Sequence, residues 1–312
     1  MTNSYSEQIM NILSCPFCSG SLERGRAGSR CEICGTNYPD TESGALDFRL
    51  KNPRSVTLTF ELGGNLPSLE ALEFTPLIKS RTAGVDFSPI AVPYHLNEEL
   101  MSYFPRAHNE NSLMLDLGCG DGIHREVCEH AGFQYVGLDY DSPGAPFLGD
   151  AHALPFKDNS FEFILSIAVL EHIRYPFVMM AEAFRVLKPG GKLIGTVAFM
   201  EPFHLDSYYH HSHLGTLNSL QYAGFEVEQV APSDTWTGLK AQAAMGLFQR
   251  MPRAYSSILI YPLHVLHRLW WRARVLKSRG RRVRMNDLIR NTTGAFSFIA
   301  SKGNESEIEA LG

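Results

Sequence analysis

Residues 113–122 read LMLDLGCGDG: an apolar run carrying an acid, Asp116, then a turn with Gly118, Gly120 and Gly122. Glycines after a strand admit positive φ and let a ligand approach main-chain N–H groups closely. The spacing is G-x-G-x-G, not the G-x-G-x-x-G of nicotinamide-binding folds, and glycine turns also follow strands that bind nothing. A second acid, Asp139, ends the run YVGLD, 19 positions after Gly120. A doubly wound fold places a carboxylate there for ribose hydroxyls, although an acid in that place also caps turns. A different chemistry lies nearer the N-terminus, where Cys15, Cys18, Cys31 and Cys34 are spaced C-x2-C-x12-C-x2-C. Two such knuckles present four thiolates, which suits structural zinc and leaves no coordination position open for catalysis. The other cysteines, Cys119 in the glycine turn and Cys128 in the helix expected after it, need no special role.

Two further blocks follow in order, GDAHALPFKDNSFEFILSIAVLEHI (149–173) and RVLKPGGKLIGTVAF (185–199). With these in place, residues 111–230 resemble the class I S-adenosylmethionine-dependent methyltransferases of the type 11 family. The resemblance implies S-adenosyl-L-methionine as cofactor, with Asp116, Gly118 and Gly120 beside its methionine portion. Asp139 falls where the family's acid takes the ribose hydroxyls, and Asp150 with Ala151 matches the block that meets the adenine edge. Ser166 and Ile167 match the wall under the amino-acid end. Read alone, Asp150 is also a plain Asx-turn residue. His172, in LEHI, recurs in the family near the methyl donor, as a base or as a wall. The cysteine segment through YPDTESGALDF resembles the small zinc ribbons that accompany several methyltransferase families.

Methyl transfer from a sulfonium is an in-line displacement, so the chain must align an acceptor and, where needed, take its proton. In open α/β sheets ligands sit beyond the carboxyl ends of the strands. The loop expected at that end, MEPFHLDSYYHHSH, gathers His204, His210, His211 and His213 with Asp206, Tyr208 and Tyr209. His204, nearest the strand end, is the expected base. Metal binding by this cluster matches no standard spacing, and surface histidines capping the next helix are the plainer reading.

These groups need a scaffold, and the α/β alternation from residue 111 onward supplies one. The pattern predicts strands at 112–117, 135–139, 146–149, 161–167, 191–199, 225–231 and 294–301, with helices at 122–131, 176–187 and 212–223. Lys188-Pro189-Gly190-Gly191 should stop a helix and feed the fifth strand. The expected fold is a doubly wound, mostly parallel seven-stranded α/β sheet of Rossmann-like methyltransferase type. A zinc ribbon (1–50) precedes a linker and helical cover (51–110, with a helix near 96–104). The methyltransferase domain spans 111–302, with a helical insertion at about 232–292 before the last strand, and a disordered tail ends the chain (303–312).

Composition is that of an ordinary globular protein: 312 residues, 44% hydrophobic, 20% charged, formal net charge −5. No apolar run is long enough to span a bilayer and MTNSYSEQIM lacks a signal-peptide pattern, so a cytoplasmic protein is expected. Charge is unevenly spread. Ten Lys or Arg and no Asp or Glu lie between Arg250 and Met285, leaving 18 Lys+Arg against 33 Asp+Glu elsewhere. Projected at 100° per residue, Pro262, Leu263, Val265, Leu266, Leu269, Trp270, Ala273 and Leu276 share an apolar arc. His264, His267, Arg268, Trp271, Arg272 and Arg274 lie opposite. Such a helix could pack on the domain with a solvated basic face, meet anionic membrane or lipid phosphate through 262–284 at the inner membrane face, or bind RNA.

The function expected is methylation of a hydroxyl or amine on a small molecule, saccharide or lipid-linked glycan. RNA methylation is the alternative, because a ribbon before a type 11 domain also resembles bacterial rRNA guanine methyltransferases. Those ribbons typically use three Cys and one His, whereas the fourth ligand here is Cys34. Residues 1–50 also carry four Arg against six Asp+Glu, a poor phosphate surface. A non-catalytic interaction module built on a relic of the domain is the third reading, and the intact glycine turn with both acids weighs against it.

Overall fold

The computed structural model describes residues 6–25, 27–60, 74–278 and 284–304. A short helix α1 (Glu7–Asn11), capped by the Ser6 hydroxyl, opens the chain. Strands β1 (Leu22–Gly25), β2 (Gly28–Cys31) and β3 (Asn37–Pro39) then form a small antiparallel sheet between the cysteine knuckles. After β4 (Leu46–Asp47) and helix α2 (Glu98–Met101), the alternation begins with β5 (Leu113–Leu117) and α3 (Arg125–His130). It continues through β6 (Gln134–Asp139), β7 (Phe147–Leu148), β8 (Phe161–Ile167), α4 (Pro176–Val186), β9 (Leu187–Ala198) and α5 (His213–Tyr222). Last come β10 (Glu226–Pro232), the inserted helices α6 (Gly238–Ala241), α7 (Arg253–Lys277) and α8 (Met285–Thr292), and β11 (Ala295–Ser301).

The large sheet runs β10-β11-β9-β8-β5-β6-β7-β4. Only β11 is antiparallel, to both β9 and β10, so the sheet is mostly parallel. It has eight strands rather than seven because β4, the two residues after the small sheet, pairs with β7 at the edge. β5 is buried along its whole length, as a central parallel strand covered on both faces must be. The chain leaves β5 toward β6 and β7, then returns to build β8 and β9 on the other side. The carboxyl ends of β5 and β8 therefore flank the point where strand order reverses, the place where such sheets bind ligands.

The Lys188–Gly191 turn survives as an irregularity at the start of β9. Pairing with β8 jumps from Phe161↔Leu187 to Phe163↔Lys192. Gly190 takes φ +75° there, and its N–H donates to the Lys302 carbonyl at 2.7 Å. The small sheet is not a detached body. Ile9, Leu13, Cys15, Cys31 and Tyr38 share one buried cluster with Leu138 and Phe147 of the large sheet and with Phe156 between β7 and β8. Most of the predicted tail, 305–312, lies outside the described residues, as do 279–283 of the basic segment.

The insertion departs from expectation in orientation. α7 begins at Arg253, carries Pro262 inside it, and buries Ser256, Ile260 and Trp271. His267 and Trp271 stack edge-on with centroids 4.3 Å apart, and the Arg268 guanidinium donates to the Asp234 carbonyl at 3.0 Å. The arc carrying His267, Arg268 and Trp271, which a helix packed through its leucines would turn to solvent, is thus the docked one, and the apolar arc is outside. Trp271 is 6% exposed and Trp270 64%. Ile260 and Trp271 lie one above the other on one face, and an aromatic with a histidine partner fills a concave seat better than a row of leucines. Accordingly, Trp271→Ala should lower unfolding free energy by about 3–5 kcal/mol, whereas Trp270→Ala should change it by no more than about 0.5 kcal/mol. Urea denaturation with the larger loss at Trp270 would reverse this orientation.

Candidate functional site

The turn after β5 is drawn against the end of β6 by its own backbone. Gly118 N–H donates to the Leu138 carbonyl at 2.8 Å, and Gly120 N–H to Asp139 Oδ2 at 2.9 Å. Gly118, Gly120 and Gly122 all have positive φ, at +79°, +51° and +76°. The two glycines nearest the strand have different reasons to lack a side chain. A Cβ on Gly118 would lie 2.4 Å from Val169 Cγ2, whereas one on Gly120 would meet nothing within 4 Å. Gly118 is required by packing; Gly120 faces open space beside an acid.

Asp139 caps the next turn, its Oδ1 accepting from the Asp141 and Ser142 N–H groups. Three accepted bonds leave lone-pair capacity on a carboxylate that can take about four. Asp116 is fully buried; its Oδ2 accepts the Tyr135 hydroxyl at 2.7 Å and lies 3.6 Å from His124 Nδ1. Asp116 Oδ1 and Ser166 Oγ are buried with no hydrogen-bond partner among the described residues. Unpaired polar atoms of this kind are costly unless something bonds them. Ser166 and Ile167 close β8. Asp150 and Ala151 follow β7, and Asp150 Oδ1 accepts from the His152 backbone and from its Nδ1 at 2.6 Å. Burial alone would raise the Asp150 pKa, but these bonds to His152 outweigh it and lower it.

On the other side of the reversal, the loop after β9 folds back over a 3-10 turn, Leu170–His172. His204 meets His172, with ring centroids 5.2 Å apart. The remaining histidines separate from them: His210 packs on Phe203 and His213 on Phe74 and Phe296, while His211 is buried against the body. Burial lowers the pKa of His172, with the nearby His204 charge second. The sequence reading passed over Glu171. It is 1% exposed, and burial pushes its carboxyl up to about 7. An acid inside the apolar run AVLEHI was the available signal.

The four cysteines are free and converge, with Cys15–Cys34 and Cys18–Cys31 sulfurs 3.7 and 3.4 Å apart. A Zn–S bond of about 2.3 Å gives a tetrahedron with edges of about 3.8 Å, so the donor set fits. The Tyr38 hydroxyl lies 3.2 Å from Cys15 Sγ and Thr36 Oγ1 3.2 Å from Cys34 Sγ, the outer hydrogen bonds that orient thiolate ligands. A cavity of about 770 Å³ opens among the described residues. It is lined by Asp150, His152 and Tyr175 and by Arg54, Val56 and Leu58 of the segment that crosses α4 and α5. Its far wall includes Tyr209 and His211 of the loop after β9.

Residues 115–195 match the type 11 family described as a methyltransferase domain. A demethylmenaquinone methyltransferase of Renibacterium salmoninarum is 38% identical over 92 residues, covering 26% of this chain and 39% of that one. An uncharacterized methyltransferase of Mycobacterium marinum is 33% identical over 104 residues, covering 29% and 41%. The chain thus spans about two fifths of the length of these relatives. Among solved structures, phosphoethanolamine N-methyltransferase 2 of Haemonchus contortus, with S-adenosylhomocysteine bound, is 17% identical. It covers 64% of this chain and 50% of its own, with a TM-score of 0.42. The segment that holds the glycine turn, both strand-end acids and the reversal of strand order is thus the part of the chain that matches the type 11 methyltransferase domain.

Proposed function

We propose that the protein transfers the methyl group of S-adenosyl-L-methionine to a hydroxyl or amine of a small, saccharide or lipid-linked acceptor. The observation that carries this reading is the cradle at Gly120: a positive-φ glycine facing open space beside Asp139, at the strand ends that flank the reversal. When bound, the sulfonium supplies an electrophilic methyl group. Asp116, Gly118 and Gly120 hold the methionine portion, Asp139 the ribose, Asp150 and Ala151 the adenine edge, and Ser166 with Ile167 the wall beneath. The His172–His204 pair handles the acceptor's proton from the opposite side. Asp139→Ala should weaken S-adenosylmethionine binding by about 1.5–3 kcal/mol, the scale of hydrogen bonds to a charged group. Unchanged affinity by calorimetry would remove Asp139 from the site.

The ribbon, in this reading, holds structural zinc at Cys15, Cys18, Cys31 and Cys34. So small a sheet cannot bury enough core alone, and metal binding supplies folding energy. Because its core is continuous with the large sheet, chelation should lower the thermal midpoint of the whole protein. A mercurial that blocks thiols should release one zinc per chain, and a purified, reduced sample releasing none would refute the site.

A lipid-like acceptor met at the inner membrane face is favoured by the outer arc of α7. Among its residues Leu259, Leu263, Leu266, Leu269 and Trp270 are all more than half exposed. Arg272 and Arg274 flank this arc and Lys277 ends the helix, with no acid in α7. A broad apolar strip edged by basic residues suits an anionic bilayer surface. The demethylmenaquinone named for one relative is a lipid-like acceptor of the same kind. Among the described residues no helix is long and apolar enough to cross a membrane, so the contact proposed is peripheral. Exchanging Arg272, Arg274 and Lys277 for Gln should cost about 1 kcal/mol each in affinity for anionic vesicles and leave cofactor binding intact. Equal sedimentation with anionic and neutral vesicles would sink the membrane contact, and salt-sensitive binding to RNA instead would favour the RNA reading.

A further inference from the structure

The acceptor side holds one cluster that the methyl-transfer reading does not use fully. Glu171, His172 and His204 each offer a ligand atom, and these atoms lie within 4.8 Å of one another. Glu171 Oε2 is buried with no hydrogen-bond partner among the described residues. A carboxylate taken out of water without a partner is strongly disfavoured, so something is expected to meet it.

His204 is anchored from behind. His204 Nδ1 lies 3.1 Å from the Pro202 carbonyl, which as acceptor fixes the proton on Nδ1 and leaves the Nε2 lone pair free. The backbone at Asp206 lies beside His172 and that at Ala198 beside the Glu171 carboxyl. His204 is thus held by one ring nitrogen with the other left available. That is how outer hydrogen bonds orient metal ligands. The two rings stand nearly perpendicular, at 82°, so they are not stacked face to face.

We propose that Glu171, His172 and His204 bind a divalent transition-metal ion, with coordination positions open toward the acceptor. Two imidazoles and one carboxylate suit zinc or iron(II) rather than magnesium or calcium, which prefer all-oxygen sets. Three protein ligands instead of four separate this site from the cysteine site, where no position is left open. The inference rests on the methyltransferase reading for its role. With their lone pairs on the ion, His172 and His204 would no longer take the acceptor's proton themselves; an acceptor hydroxyl on the ion would lose it to solvent more readily. Its oxygen then forms a bond to the methyl carbon, the C–S bond breaks with its electron pair going to sulfur, and the sulfonium leaves as a neutral thioether. One proton is released per methyl transferred.

The full chain, stripped of metal under reducing conditions and titrated with cobalt(II), distinguishes the two sites. The cysteine site should give an intense thiolate charge-transfer band, and a second equivalent should bind without adding to that band. Glu171→Gln and, separately, His204→Gln should each lose only the second equivalent, with calorimetric binding of S-adenosylmethionine showing that the domain remains folded. Should Glu171→Gln fail to fold, His204→Gln, on the half-buried loop, decides alone. Wild-type protein saturating at one equivalent, or a folded His204→Gln variant still taking up two, would overturn the site. A second cobalt without S-adenosylmethionine binding would instead leave the metal site standing and refute the methyl-transfer reading.

Discussion

One close approach organises the centre of this protein. Gly118 sits so near Val169 that no side chain fits between them, and its N–H is spent on the Leu138 carbonyl. This contact ties the turn after β5 to β6 on one side and to the segment leaving β8 on the other. Val169 precedes the 3-10 turn that carries Glu171 and His172. The open cradle at Gly120 and the acceptor-side cluster are therefore positioned by the same few atoms. A fold that reverses strand order between β5 and β8 makes this geometry available, because the two strand ends splay apart there with no connection crossing the gap.

Buried polarity is concentrated around the same point. Asp116 accepts the Tyr135 hydroxyl under the glycine turn, with His124 Nδ1 3.6 Å away, and burial together with the Asp116 charge raises the pKa of Tyr135 so that it remains a hydrogen-bond donor. Such networks rigidify what they support when every member is satisfied. Here Asp116 Oδ1, His124 Nδ1 and Ser166 Oγ are left over among the described residues, and Asp116 and Ser166 lie on opposite faces of the two strands whose ends flank the reversal.

The accessory elements attach to this centre in different ways. The cysteine-bearing sheet extends the main hydrophobic core, and β4 adds its two residues to the β7 edge, covering part of an otherwise open strand. Asp47 in β4 is held down at about 2: burial would raise it, but the side chains of Arg49 and Lys51 prevail. α7 instead attaches by a narrow mixed face and leaves its broad apolar face unpartnered among the described residues.

The local chemistry was legible in the chain because it depends on neighbours in sequence. Glycine spacing after an apolar run, an acid closing the second strand and two cysteine knuckles are set within a few residues, so their residue types alone state what backbone geometry and donor groups they offer. Strand and helix positions followed from periodicity, with ends shifted by a residue or a few. The direction in which α7 docks could not be read the same way. Periodicity divides a helix into faces but does not say which face meets the body, and Trp271 with His267 outcompeted the leucine arc through shape. Glu171 escaped notice because its meaning depends on His204, brought across by the loop after β9. The conversion of Asp116 and Ser166 into unpartnered atoms likewise depends on strands that pair only in the folded sheet. What the sequence determined by itself was the set of local devices; which of them face each other across the strand reversal was decided only by tertiary packing, because that distance runs through space and not along the chain.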